Sequence, residues 1–384
     1  MSTVFDRSMS EMPAVVGPAP SEGCTEEFCW DLLELGASSN LAEIAKLVDA
    51  RISELLAGEA ARWSALGPEA GDPLSSLAGL VAAGGKRLRP AFCYWAFVGA
   101  GGSPDDPRII DAASALELVH CFALIHDDVM DASTHRRGMP SVHADYEGRH
   151  FAAGWRGDSR RFGEGVAILV GDLAFIYADL LMSNANPDAA SVFTELRLEV
   201  AMGQYLDVLG GARRHGALSA ARQISLYKSG KYTVERPLHL GAAMAGRFGE
   251  TQAALSNFGL PLGEAFQLRD DLLGAFGDFR RTGKPVGADL REGKATALYA
   301  IAKQRAVGAE LRFLTERYGA GDLTDGEVTR LRCILEETGA RLALEERIGE
   351  LVEKAVDALD RSGLDRQARL ALADLAYFAA LRDR

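Results

Sequence analysis

Two short acidic runs stand out as groups that could do chemistry. Asp127-Asp128-Val129-Met130-Asp131 closes one long apolar stretch, and Asp270-Asp271-Leu272-Leu273-Gly274-Ala275-Phe276-Gly277-Asp278 follows another. On a helix Asp127 and Asp131 share one face, and two like charges there repel unless a cation sits between them. Magnesium takes one or two carboxylates per ion and completes its shell with water and phosphate oxygens. Two facing acidic helix ends would therefore hold several ions that together grip one diphosphate. A lone Asp-Asp-x-x-Asp recurs by chance and reads equally well as a solvated helix end. Two of them, each on an apolar stretch and each followed by a basic, glycine-containing segment, read as a metal site.

The cations that would balance such a ligand lie in separate runs. Gly84-Gly85-Lys86-Arg87-Leu88-Arg89-Pro90 places a glycine pair before three cations. The glycines allow close backbone approach, and Lys86 and Arg89 can meet phosphate oxygens together. Arg136-Arg137-Gly138 follows Asp131 closely, and Lys228-Ser229, Gly283-Lys284-Pro285 and Lys294 add positive charge further on. Taken singly each is a surface cation; together they cover diphosphate charge that metals leave over. No serine nucleophile or catalytic histidine motif is present, and His120 and His126 read as packing or ligand-contacting groups.

The elements that must position these groups read as helices. Asn40 and Glu43 form a candidate capping box, Leu41, Ile44, Val48, Ile52, Leu55 and Leu56 follow at helical spacing, and Gly58 is the expected stop. A second stripe runs through Ile348, Leu351, Val352, Ala355 and Leu359 toward Gly363. The stretches 112–126 and 165–181 are apolar all round, the mark of helices in the middle of a large bundle. Segments 136–165 and 279–293 read as loops, the second a candidate lid carrying Lys284. No alternating strands or Asn-Gly hairpins are found. The fold class expected is all-α, with residues 1–28 a disordered tail and residues 29–384 one domain.

Composition excludes several classes. With 384 residues, 48% hydrophobic, the chain can bury one large core. A net charge of −12 argues against nucleic acid as a partner. No apolar run is expected to span a bilayer, and the N-terminus lacks the basic start and apolar stretch of a secretory leader, so the protein reads as cytoplasmic. Five scattered cysteines, Cys24, Cys29, Cys93, Cys121 and Cys333, read as reduced thiols.

Taken in order, Gly-Gly-Lys-x-x-Arg-Pro, Asp-Asp-x-x-Asp, Arg-Arg-Gly, Gly-Gln-x-x-Asp (residues 203–207), Lys-Ser, Phe-Gln-x-x-Asp-Asp (residues 266–271) and Gly-Lys-Pro-x-Gly (residues 283–287) resemble the trans-polyprenyl diphosphate synthases. This is the family of farnesyl and geranylgeranyl diphosphate synthases, and the resemblance covers roughly residues 40–384. It implies an isoprenoid synthase helix bundle around a deep central cavity, and a homodimer. It implies that Asp127, Asp131 and Asp270 ligate about three magnesium ions on an allylic diphosphate, with Gln204, Asp207, Asp128 and Asp271 behind them. Arg136, Lys228 and Lys284 would hold the same diphosphate. Lys86, Arg89, His120 and Arg137 would bind isopentenyl diphosphate without metal, with Phe266 and Gln267 lining its site, and Ser229 stands where the family often has Thr. Lys294 joins the substrate-binding set. The segment 146–165 is longer than in short family members and has no assigned role.

The chemistry so implied is electrostatic: metals and cations stabilise the departing diphosphate of dimethylallyl, geranyl or farnesyl diphosphate while isopentenyl diphosphate attacks the allylic cation. A terpene cyclase would lack the second cation site, and a non-catalytic subunit could lose its aspartates. Product length turns on Ala123 and Phe122, which lie about 6 to 7.5 Å back along the helix from Asp127. In the resembling family, bulk at these positions forms the floor that stops elongation. One small and one aromatic residue imply a C20 product, geranylgeranyl diphosphate, with C15 or longer products as the alternatives. The other location for the floor is deeper, near Leu116 or Val119.

Overall fold

The computed structural model describes residues 26–213, 226–277, 287–294 and 296–381; the side chains of residues 26–39, Pro68, residues 211–213 and Lys228 lie outside that description. The chain runs α1 (Glu26–Trp63), α2 (Asp72–Ala82), α3 (Leu88–Gly99) and α4 (Pro107–Met130), then a two-stranded hairpin of β1 (His135–Arg136) and β2 (Met139–Pro140). It continues through α5 (Val142–Ala153), α6 (Ser159–Leu181), α7 (Pro187–Arg213), a π-helix (Leu226–Glu235), α8 (Arg236–Met244) and α9 (Phe248–Phe276). After α10 (Ala288–Glu292) come α11 (Ala297–Arg305), α12 (Gly308–Arg317), α13 (Asp325–Glu337), α14 (Ala340–Leu359) and α15 (Arg366–Leu381). The all-α class expected from periodicity is the class observed.

The central element is α4. Asp106 caps it by accepting from Arg108 N at 3.0 Å, and Pro107 starts it without a wasted amide donor. Its residues from Ala112 to Val119 are buried almost without interruption, and it packs against α6 and α3. By length and hydropathy α4 could cross a membrane, which corrects the expectation that no run reaches that length; 61% of its most apolar window is buried inside the protein. Apolarity all round follows from its place in the bundle. One contiguous cluster of buried side chains extends from Leu41 to Ala380.

Three local expectations are corrected. Helix α1 is already helical before Asn40 and continues through Gly58 to Trp63. A glycine costs a helix only about 1 kcal/mol relative to alanine, and here Leu41, Ile44, Val48, Ile52 and Leu56 hold the helix to the core. The stretch 136–165 is not a loop: it holds a hairpin, α5 and the first turns of α6. The hairpin pairs His135 with Pro140 and Arg136 with Met139 across Arg137 and Gly138, both at positive φ (53° and 76°). That is the signature of a type I′ turn, and its Arg-Gly replaces the usual Asn-Gly. Within 279–293, residues 279–286 with Lys284 lie outside the described residues, and Ala288–Glu292 is helical. The tail expectation falls outside the description for residues 1–25. Cys93, Cys121 and Cys333 are free thiols.

Candidate active site

The aspartate end of α4 is tied to α7 and to the hairpin. Gln204 donates its amide to Asp127 at 2.8 Å, so the Gly-Gln-x-x-Asp run on α7 does meet the first acidic cluster. Asp131 is the residue that caps α4, its amide bonded to the Asp127 carbonyl at 2.8 Å. Asp128 points inward and is buried, and that burial pushes its carboxyl up despite the guanidinium of Arg136 beside it. Arg136 bonds Asp128 through Nε at 3.0 Å and through Nη2. Burial works against the charge on Arg136, but Asp128, with Asp127 and Asp131 beyond it, holds its pKa above the ordinary value. Nε and Nη2 of Arg136 are thus both engaged by Asp128. A cleft of about 310 Å³ opens beside this pair, walled by residues that include Ser76, Leu80, Met139 and Asp145.

The second cluster closes α9. Asp271 is buried, accepts from Gln267 Nε2 at 2.8 Å and from Ala297 N at 3.3 Å, and is pushed up to about 7 chiefly by burial, with Asp289 and Asp270 adding repulsion. The Gln267 amide, expected to line a substrate site, is therefore turned toward Asp271. Asp289, a residue that no motif singled out, lies over Gly274: a Cβ there would come within 2.0 Å of Asp289 Oδ2. Lys294 pairs with Asp289 at 3.5 Å and Glu292 at 3.1 Å. Burial opposes its charge, yet Asp289, Glu292 and, further off, Asp131 keep it protonated well above the usual lysine range. Asp131, at the end of the first cluster, adds to the negative field at Lys294. Among the described residues no three His, Cys, Asp or Glu side chains form a ready cage for a metal ion.

The cation side is built differently. Arg87 is buried and sits in the left-handed region (φ 49°, ψ 35°). Its side chain turns inward to Asp49 (2.8 Å), the Val81 carbonyl (2.7 Å) and Glu117 of α4. Of the three cations in the Gly-Gly-Lys-Arg-Leu-Arg run it is the anchor. Gly85 makes room for this: a Cβ there would press on Arg87 Nη1 at 2.8 Å and Arg137 Nη2 at 2.9 Å. Arg89 donates to Thr233 Oγ1 at 2.8 Å, and its guanidinium lies 4.3 Å from the centroid of the Tyr232 ring. Lys86 Nζ lies 5.8 Å from the ring centroid of Phe378. Arg137 donates to the Leu80 carbonyl at 3.2 Å. Burial, then Arg89, Arg137, Arg136 and Arg87, drive His120 well below its usual range, so the imidazole is neutral. Three buried polar atoms here, Arg89 Nε, His120 Nδ1 and Tyr232 Oη, have no hydrogen-bond partner among the described residues. Buried donors are rarely left unpaired, and a convergent set of them beside arginines fits an anionic ligand.

The remaining expected residues fall as follows. Ser229 is half-buried in the π-helix, whose glycine Gly230 touches the Gly263 backbone of α9. Asp207 and Phe266 are half-buried. The Lys228 side chain and Lys284 lie outside the described residues. Phe122 and Ala123 are half-buried. The Phe122 ring packs on His126 (4.6 Å) and Phe175 (4.8 Å), whereas Leu116 and Val119 are fully enclosed.

A helical bundle with acidic runs closing two of its helices, and with a separate cluster of arginines among buried polar atoms that lack partners, suits electrostatic chemistry on an anionic ester. Comparison with known proteins supports that class and narrows it. The polyprenyl synthetase family matches residues 74–335, so the chain belongs to that family and is a prenyltransferase. It is 32% identical to the geranylfarnesyl diphosphate synthase of Aeropyrum pernix, covering 73% of this chain and 85% of the relative. It is also 32% identical to a geranylgeranyl diphosphate synthase of Mycobacterium tuberculosis, covering 75% and 82%. Among solved structures, the geranylgeranyl pyrophosphate synthase of Corynebacterium glutamicum complexed with isoprenyl diphosphate and magnesium superposes with a TM-score of 0.84. That match has 34% identity and covers 88% of this chain and 99% of the other.

Proposed function

We propose that the enzyme condenses isopentenyl diphosphate with dimethylallyl, geranyl and farnesyl diphosphates to give geranylgeranyl diphosphate. The observation that carries this reading is the pairing of two unlike anion sites, one of carboxylates and one of buried, partly unsatisfied cations. Lys86, Arg89, Arg137 and neutral His120 hold the isopentenyl diphosphate, with Arg89 Nε supplying a donor the fold leaves open. Asp127, Asp131 and Asp270 would hold about three Mg²⁺, which when bound neutralise charge on the departing allylic diphosphate. Gln204 orients Asp127, and Asp128, Asp271 and Asp207 stand behind the ligands. Lys294 and Arg136, with Lys228 and Lys284, add positive charge toward the same leaving group. The apolar wall of α4 excludes water from the allylic cation, and the released diphosphate takes the proton lost on carbon–carbon bond formation.

The C20 length rests on one small and one aromatic residue, Ala123 and Phe122, both half-buried, with the fully enclosed Leu116 and Val119 as the deeper alternative floor. Chromatography of products from the purified full chain with each allylic primer tests it: C20 is expected, and C15 or a longer product would replace it. The proposal includes one catalytic domain over residues 29–384, a cytoplasmic location and a homodimer. Exposed Leu169, Ile176 and Leu180 on α6 and Leu198, Met202 and Tyr205 on α7 support the dimer, since each is a large apolar side chain left uncovered in one chain.

A further inference from the structure

Arg89 takes its place from an uncommon element. A π-helix fits an extra residue into its turn, and such turns occur frequently at functional sites. Here it spans Leu226–Glu235 and supplies Thr233, which accepts from Arg89, and Tyr232, whose ring lies against the same guanidinium. Both residues are buried. Whatever fixes this wide helix therefore fixes Arg89. On one side it meets α9 through glycine alone: a Cβ on Gly263 would stand 2.7 Å from the Gly230 carbonyl oxygen. Such a contact sets a distance and leaves rotation free.

Rotation is fixed by one buried carboxylate on α7. Glu199 accepts from Arg236 twice, Nε to Oε2 at 2.7 Å and Nη2 to Oε1 at 2.8 Å, and Lys231 Nζ donates to Oε1 as well. Lys231 stands just before Tyr232, and Arg236 just after the π-helix ends, so the carboxylate grips the chain on both sides of the Arg89 clamp. Burial works against the charge on Glu199, but Arg236 and Lys231 outweigh it and hold the carboxyl below its usual range. A two-pronged guanidinium–carboxylate pair fixes orientation as well as distance. Neighbouring Glu235 does not stand in for it: Glu235 accepts from Ser256 Oγ at 2.6 Å and lies 3.9 Å from Lys231 Nζ, beyond hydrogen-bond distance. Because α7 also carries Gln204, which donates to Asp127, Glu199 references the π-helix to the helix that meets the first acidic cluster. We propose that Glu199 is a positioning residue of the reaction: without touching substrate it sets the rotation of the π-helix, and through Thr233 and Tyr232 the aim of Arg89 at the diphosphate Arg89 binds. That this diphosphate is isopentenyl diphosphate rests on the proposed function; the link from Glu199 to Arg89 does not.

The test is steady-state kinetics of the full chain carrying Glu199→Gln, Arg89→Ala or both, well below the melting temperature of each. Glu199→Gln should raise the KM of whichever substrate Arg89→Ala affects by about tenfold, since a small misplacement of a positioned group costs up to about a hundredfold. The KM of the other substrate should stay within about twofold, and in the Arg89→Ala background Glu199→Gln should add nothing, because groups acting through one another are not additive. Lys231→Gln, which removes one arm of the grip and keeps the Arg236 pair, should show the same selective rise in smaller measure, and it decides the matter if Glu199→Gln does not fold. Leu335→Ala, a cavity in the buried core on α13, should lower the melting temperature and leave both KM values unchanged. The proposal is overturned by an unchanged KM in Glu199→Gln, by a rise for the other substrate, or by an equal rise with and without Arg89. It is also overturned if Leu335→Ala reproduces the pattern, which would make it an effect of lost stability, or if Arg89→Ala alters neither KM. If Arg89→Ala raises the allylic KM and Glu199→Gln follows it, the proposed assignment of the two diphosphates fails and the role of Glu199 stands.

Discussion

The arginine side and the aspartate side of this site answer the same electrostatic demand in opposite ways. On the arginine side the charges are prepaired: Arg87 is tied to Asp49 and Glu117, and Arg89 is clamped between Thr233 and the Tyr232 ring. On the aspartate side like charges are set near one another, with Asp270 and Asp289 raising the Asp271 carboxyl further. A preassembled cation site receives an anion without a metal. The aspartate side holds like-charged neighbours together with ion pairs of its own, Arg136 on Asp128 and Lys294 on Asp289, and is the proposed place for added cations. In the proposed reading this contrast would keep the two diphosphates apart, so that one stays put while the other ionises.

The largest effect should come from breaking the aspartate side. Asp127→Ala, Asp131→Ala or Asp270→Ala should lower kcat by about a thousandfold or more, because removing a group that stabilises developing charge typically costs factors of this order. The circular dichroism spectrum should stay helical. Near-normal turnover of any variant at saturating Mg²⁺ would remove that residue from the site.

Next in size is the anchor of the arginine side. Glu117→Ala leaves the Arg87 guanidinium buried without its partner on α4, and breaking such a pair typically costs about 3 to 5 kcal/mol. Thermal unfolding should therefore drop by many degrees, with KM for isopentenyl diphosphate raised and KM for the allylic primer little changed. Arg89→Ala should be milder in stability. It should raise the isopentenyl diphosphate KM by one to two orders of magnitude, from loss of charge-assisted hydrogen bonds worth about 1.5 to 3 kcal/mol. A selective rise in the allylic KM instead would reverse the two sites.

Smaller still is the change at the floor. Ala123→Phe should shift product toward C15 and Phe122→Ala toward longer chains, without large loss of turnover. Identical product from both variants and wild type would place the floor elsewhere. The smallest effect concerns pH. Burial, helped by Arg236, holds His239 down at about 4, whereas an unfolded histidine titrates near about 6.5. Between those values the unfolded chain binds the extra proton, so stability is full above pH 6.5 and falls as pH drops toward 4. Melting temperature against pH should show that slope, flattened in His239→Gln.

Much of this contrast was legible in the sequence, and the part that was not has physical causes. The acidic runs and the Gly-Gly-Lys run are local patterns, and their ordering along the chain carries the family. The direction in which a side chain turns is not local. Arg87 reads as one of three equivalent cations, and only its left-handed backbone and the distant carboxylates Asp49 and Glu117 turn it inward. Asp289 precedes Lys294 without a recognisable motif and joins the site because Gly274 lets it approach. In sequence the Arg-Gly hairpin and α5 look like loop because glycine and charge there mimic irregular chain. Gly58 looks like a stop by local pattern alone, whereas tertiary packing holds α1 through it.

The central claim is that isopentenyl diphosphate has a metal-free site of its own. Calorimetric titration of the full chain in excess chelator tests it most directly, with isopentenyl diphosphate and with a non-ionisable geranyl thiolodiphosphate as separate ligands. The account predicts that isopentenyl diphosphate binds without Mg²⁺ and is unaffected by Asp127→Ala, while the allylic analogue binds only when Mg²⁺ is restored. Loss of isopentenyl diphosphate binding in chelator, or in Asp127→Ala, would contradict it.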